Sequence, residues 1–129
     1  MSLPKILVVS STRDTAAWLG RALAEDGEVE TMTDGAEAFQ RVWETTYDVI
    51  VSELGVPGID GRDLYMALRN TWPELAERMV FVSATPSPRA QDFAERSGVP
   101  LVRDPVGAAQ LREAVRLVRA RPANGAIAS

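Results

Sequence analysis

The sequence predicts an α/β fold: a doubly wound (βα)5 parallel sheet with strand order 2-1-3-4-5. Three observations carry that expectation. Short apolar runs alternate with stretches of helical periodicity along the whole chain, the pattern of βα units. Ile6–Val9, Val49–Val51 and Met79–Val82 are continuous and mostly β-branched or otherwise apolar, as in strands buried on both faces. Val29–Thr33 and Leu101–Arg103 are more polar, as edge strands are. Three central and two edge strands fit this order, with right-handed crossovers and helices on both faces.

The elements carry their own boundary signals. The first strand, Ile6–Val9, runs into Ser10-Ser11. Thr15, Leu19, Ala22 and Leu23 then share one helical face, and that helix ends near Gly27. After Val29–Thr33, Asp34 is positioned as an N-cap, and Asp34-x-x-Glu37 fits a capping box. Ala38, Phe39, Val42 and Trp43 repeat at helical spacing behind it. The third strand leads to Glu53. Arg62–Trp72 reads as a helix stopped by Pro73, because a residue before proline is pushed out of the helical region. Ser87-Pro88 reads as an N-cap with a first-turn proline, opening a helix that ends near Gly98. Leu111, Ala114, Val115 and Val118 line the fifth helix. Residues 4–121 form one domain, and 122–129 form an Ala/Gly/Asn-rich tail expected to be frayed.

Composition narrows the function. A length of 129 residues suits one core. The net charge of −4 argues against a nucleic-acid binder, whose affinity depends on Lys and Arg neutralising phosphates. Cysteine and histidine are both absent, which excludes disulfides, thiolate metal sites, histidine bases and phosphohistidine. No apolar run approaches the roughly 18–20 residues of a membrane span. The short apolar stretch at the start lacks the features of a signal peptide. The expectation is a cytoplasmic protein with neither nucleic acid nor membrane as a partner.

Folds of this kind place their sites outside the carboxyl ends of the strands. Those ends carry Ser10-Ser11, Glu53, Ser83-Ala84 and Arg103-Asp104-Pro105. The third is the most specific. The run Asp48–Leu54 ends in a carboxylate and is followed by Gly55-Val56-Pro57-Gly58-Ile59-Asp60-Gly61. A strand, a carboxylate and x-x-Pro-Gly-x-Asp-Gly resemble the phosphoacceptor segment of response-regulator receiver domains, whose architecture is flavodoxin-like. The resemblance covers residues 4–121. The stretch from Trp72-Pro73-Glu74-Leu75 to Asp104-Pro105 is also similar to receivers at the C-termini of hybrid histidine kinases.

The resemblance implies a role for each strand end. Receivers hold Mg²⁺ with an acidic pair and a phosphoacceptor aspartate; here those positions are Ser10, Ser11 and Glu53. The switch hydroxyl is retained as Ser83. The lysine position is Asp104, before the retained Pro105, and the aromatic switch position is Leu101. Mg²⁺ is usually held by one or two carboxylates plus phosphate, so serines at the acidic pair predict weak or absent Mg²⁺ binding. An anion at the lysine position repels phosphate where charge neutralisation is needed. The resemblance therefore implies an atypical phosphorelay receiver, not an enzyme, with no catalytic residue, metal or cofactor. It would signal by protein contacts without ordinary Mg²⁺-dependent phosphorylation. Glu53, one methylene longer than aspartate, could alternatively mimic a phosphorylated residue if Ser83 bonds to it. The implied partner is a histidine kinase or another signalling protein, separate or in the same polypeptide. A homodimer through the fourth helix, fifth strand and fifth helix is a further possibility. Arg89, Gln91, Arg103 and Arg112 group with that face.

Simpler structural roles stand beside these. Ser10 and Ser11 could cap the first helix, and Glu53 could be a solvated carboxylate or pair with an arginine. Trp18, Trp43 and Trp72 suit packing or snorkelling, and Arg112, Arg116, Arg119 and Arg121 a solvated helix face. Gly55, Gly58 and Gly61 suit turn geometry. A different functional class is an FMN or anion site in the hydroxyl-rich loop Ser10–Thr15, at a helix N-terminus as in flavodoxins. That loop has no glycine, and no aromatic loop residue stands out to sandwich a flavin.

Overall fold

A computed structural model describes residues 3–54, 60–83, 87–103 and 107–121. The strands are β1 (Lys5–Val9), β2 (Glu28–Met32), β3 (Val49–Glu53), β4 (Met79–Ser83) and β5 (Leu101–Arg103). They form one parallel sheet in the order β2-β1-β3-β4-β5. The helices are α1 (Arg13–Leu23), α2 (Gly35–Glu44), α3 (Gly61–Thr71), α4 (Pro73–Ala76), α5 (Pro88–Ser97) and α6 (Ala108–Arg119). Successive strand residues point to opposite faces, and both faces are buried. Leu7, Val9, Ile50, Met79 and Phe81 meet residues of α2, α3, α4 and α5. Ile6, Val8, Val49, Val51, Val80 and Val82 meet α1 and α6. This two-sided burial is why the central strands read as unbroken apolar runs.

Local signals place the helix ends. Asp34 accepts from the N–H groups of Ala36 and Glu37, and Ser87 accepts from that of Ala90. Each satisfies amides that the first helical turn cannot pair internally. Gly98 ends α5 at φ 77, a left-handed conformation that costs glycine little. Gly27 is required by a close approach: a Cβ there would lie 2.5 Å from the Pro4 carbonyl oxygen.

Several expectations are corrected. The second strand begins at Glu28, one residue early, because Glu28 N–H bonds the Pro4 carbonyl at 2.8 Å. Pro73 does more than stop a helix. It starts α4, which buries Leu75 and Ala76; a proline's fixed φ and missing N–H suit a first helical position. Trp43, by contrast, keeps the packing or snorkelling role expected of it: it is 57% exposed and packs outward against Trp72 at a ring separation of 5.8 Å. Arg112 and Arg116 do not form a purely solvated face, since both reach the Asp26 carboxylate beyond α1. Arg121 donates to the carbonyls of Glu77 and Gly98, at the ends of α4 and α5. Among the described residues, no helix is long and apolar enough to cross a membrane. The expected tail, 122–129, lies outside the described residues.

Candidate functional site

Strand register builds the site. β1 and β3 are neighbours with Val9 opposite Ser52, so the residues that follow, Ser10 and Glu53, end side by side. Ser10 is completely buried, and its N–H is fixed to the Met32 carbonyl at 2.9 Å. Its hydroxyl donates to Glu53 Oε1. Ser11 adds two longer contacts, from its N–H to Oε1 at 3.3 Å and from its hydroxyl to Oε2 at 3.4 Å. The serine pair thus engages both oxygens of the carboxylate.

This arrangement corrects two of the simpler roles. Neither serine caps α1. Thr12 does, with an extended backbone and an Oγ1 that accepts from Thr15 N–H at 3.2 Å. Glu53 does not pair with an arginine; among the described residues it has no ion-pair partner. The hydroxyls of the Ser10–Thr15 loop are engaged internally, with Glu53 or at the cap. The Glu53 carboxylate at the end of β3 thus lies against this loop, and a negative charge there opposes an approaching phosphate.

Two further residues hold Glu53 in place. Ser52 is buried, and its hydroxyl donates to the Glu53 carbonyl at 3.0 Å. A Cβ on Gly61 would stand 2.6 Å from that same carbonyl oxygen, so the start of α3 can approach β3 only as glycine. Gly61 N–H closes the contact on the Leu54 carbonyl at 3.3 Å. Sequence reasoning missed Ser52 and Thr12. A hydroxyl at the end of an apolar strand was the available signal for Ser52, and a threonine three residues before another was that for Thr12.

The other strand ends are placed as follows. Ser83 ends β4 and is half-buried; β4 neighbours β3 with Val82 opposite Glu53. Among the described hydrogen bonds, those on the Glu53 carboxylate come from Ser10 and Ser11 and none from Ser83. Leu101 is half-buried on β5 opposite Phe81. It lines a surface hollow of about 280 Å³ with Gln91, Ala94, Val99 and Arg103. Asp104, Pro105, Gly55 and Gly58 lie outside the described residues.

A model of the response regulator receiver domain matches residues 6–116. The chain belongs to that family. A stretch of 70 residues is 43% identical to the transcriptional regulatory protein PrrA of Mycobacterium leprae, covering 54% of this chain and 30% of PrrA. Another relative is the transcriptional regulatory protein TcrA of Mycobacterium tuberculosis, 41% identical over 66 residues, or 50% of this chain and 26% of TcrA. The receiver thus spans under a third of the length of the curated relatives it matches. The chemotaxis protein CheY4 of Vibrio cholerae has the same fold, with a TM-score of 0.79 at 22% identity over 91% of this chain and 99% of CheY4.

Glu53 is the one carboxylate in the described centre, and both serine hydroxyls point their protons at it. A hard dication needs anionic oxygen directed at itself. Among the described residues there is no group of three His, Cys, Asp or Glu that could hold a metal ion.

Proposed function

We propose that this receiver relays signals by protein contact and stands outside ordinary Mg²⁺-dependent phosphorylation. The observation that carries the reading is the bonding of Glu53 by Ser10 and Ser11, the residues at the acidic-pair positions. At about 4 Å and an effective dielectric of about 20, one unit-charge pair is worth about 4 kcal/mol of gross attraction, and a dication doubles it. Two neutral serines supply none of that, and Asp104 adds repulsion where the family has a lysine. Phosphoryl transfer rests on positioning and charge neutralisation, and both are lost. The domain is accordingly not an enzyme and needs no cofactor. Its partners are a histidine kinase or another signalling protein, in the cytoplasm, on the same polypeptide or a separate one.

The Glu53 contacts also bear on a phosphorylation mimic. Ser10 and Ser11 follow β1, on the side of β3 opposite β4 and Ser83. A carboxylate bonded there supports a receiver without the Glu53–Ser83 link, rather than one locked in a phosphorylated-like state.

Incubation of the chain with Mg²⁺ and acetyl phosphate, followed by intact mass, tests the proposal. The expected result is an unchanged mass. A phosphoryl adduct on Glu53 overturns it. The variant combining Ser10→Asp, Ser11→Asp, Glu53→Asp and Asp104→Lys should acquire a Mg²⁺-dependent adduct.

A further inference from the structure

A second hollow, of about 160 Å³, lies between the first turns of α3 and α5. Leu54, Ala90 and Phe93 give it apolar walls, and Arg62 and Arg89 stand in its lining. The Arg62 guanidinium lies 5.1 Å from the centre of the Phe93 ring, a cation–π arrangement. Among the described residues neither arginine has an ion-pair partner. Among the described residues Asp60 is the one carboxylate in the lining, and its Oδ1 is engaged by Asp63 N–H at 2.8 Å as the cap of α3. The two helix N-termini add positive potential. The hollow is therefore cationic, although the chain carries a net charge of −4.

Its size limits the occupant. An apolar cavity of about 150 Å³ takes a group the size of benzene, whereas sites for drug-sized ligands run from about 300 Å³ upward. One side chain fits and a nucleotide does not. The floor also adjoins the strand-end centre. Leu54 follows Glu53, its N–H bonds the Val82 carbonyl at 3.2 Å, and its carbonyl accepts from Gly61 at 3.3 Å. A group pressed on Leu54 thus bears on the segment that presents Glu53.

We propose that this hollow receives an aromatic anchor side chain from an acidic segment of a partner protein. The acidic flanks meet Arg62 and Arg89, and the ring packs on Leu54, Ala90 and Phe93. The inference rests on the reading that the domain acts by protein contact.

The test is a titration of the isotope-labelled full chain, followed by amide chemical shifts. The probe is a capped pentapeptide, Glu-Asp-Phe-Asp-Glu. Lys-Lys-Phe-Lys-Lys and Glu-Asp-Ala-Asp-Glu serve as comparison peptides. Saturable shifts at Leu54, Ala90 and Phe93 are expected with the first peptide alone. The double variant Arg62→Ser, Arg89→Ser should weaken that binding about tenfold, in line with two exposed charge contacts. No saturable shift, equal shifts with the basic peptide, or unchanged affinity of the double variant overturns the proposal. So does concentration-dependent dimerisation that broadens the same amides without peptide, which would place a second copy in the hollow. Intact mass of the same sample after acetyl phosphate and Mg²⁺ separates the two readings. An adduct overturns the contact-only reading, whereas an unchanged mass with no peptide binding overturns the hollow alone.

Discussion

Glu30 on β2 and Glu53 at the end of β3 are both partly buried carboxylates, yet their surroundings differ in charge. Glu30 accepts a 2.6 Å bond from the Tyr47 hydroxyl and pairs with Arg41 at 3.3 Å. The Tyr47 bond, helped by the positive charge of Arg41, holds the Glu30 carboxyl below its ordinary pKa despite the opposing effect of burial. Burial, followed by the bond to Glu30, raises the Tyr47 hydroxyl. Glu53 has donors too, but among the described residues all come from two serines and none is a cation. The β2 network is a compensated structural ion pair at a sheet edge. The strand-end centre keeps a carboxylate with hydrogen bonds but, among the described residues, no countercharge. Hydrogen bonds from the two serines engage both of its oxygens.

That contrast can be broken from either side. The largest effect is expected from Gly61→Val, because the added Cβ meets the Glu53 carbonyl at 2.6 Å and Leu54 Cα at 3.2 Å. Backbone atoms cannot rotate aside, so the variant should lose about 2–4 kcal/mol in urea unfolding. The Glu30 network should survive in whatever fraction folds.

Tyr47→Phe comes next. It leaves the ring in the core and removes the hydroxyl from Glu30, at a cost of about 1–2 kcal/mol. This variant also has a signature in pH. Because the folded pKa of Glu30 lies below the unfolded one, the added stability is complete above the unfolded value and is lost as pH falls through the lowered folded value. Urea melts across acidic pH should show a shallower acid loss in Tyr47→Phe than in the parent chain.

Ser10→Ala should cost less, about 1 kcal/mol, since the half-exposed Glu53 can recruit water in place of the lost hydroxyl. It should leave the acid limb due to Glu30 unchanged; a changed limb would mean that the two carboxylates are coupled. The smallest effect is expected from Trp43→Ala. This side chain is 57% exposed and touches Phe39 and Trp72 by its ring edges and faces, so the loss in urea melts should stay below about 1 kcal/mol.

The parts of this receiver that could be read in advance depend on neighbours along the chain. β-branched runs, the Asp34 and Ser87 caps, Gly98 and the buried stripe of α6 are governed by periodicity and by groups a few residues apart. The positions of Ser10, Ser11, Glu53 and Ser83 at strand ends were legible for the same reason. The α4 turn was missed because a proline ends one helix and begins another with the same stereochemistry. Arg112 was misplaced because its partner, Asp26, is 86 residues away.

The amino-acid order alone was enough for the doubly wound sheet, since alternation of apolar runs and helical periodicity is a matter of residue type and spacing. Where Glu53 turns was settled only by folding. Ser10 and Glu53 are separated by 43 residues and meet through the register of β1 on β3. Gly61 then brings α3 against the Glu53 carbonyl, and Thr12 takes over the cap that would otherwise occupy the serines. Hydrogen bonds form between whichever donors and acceptors packing brings within about 3 Å, and no local pattern encodes that meeting.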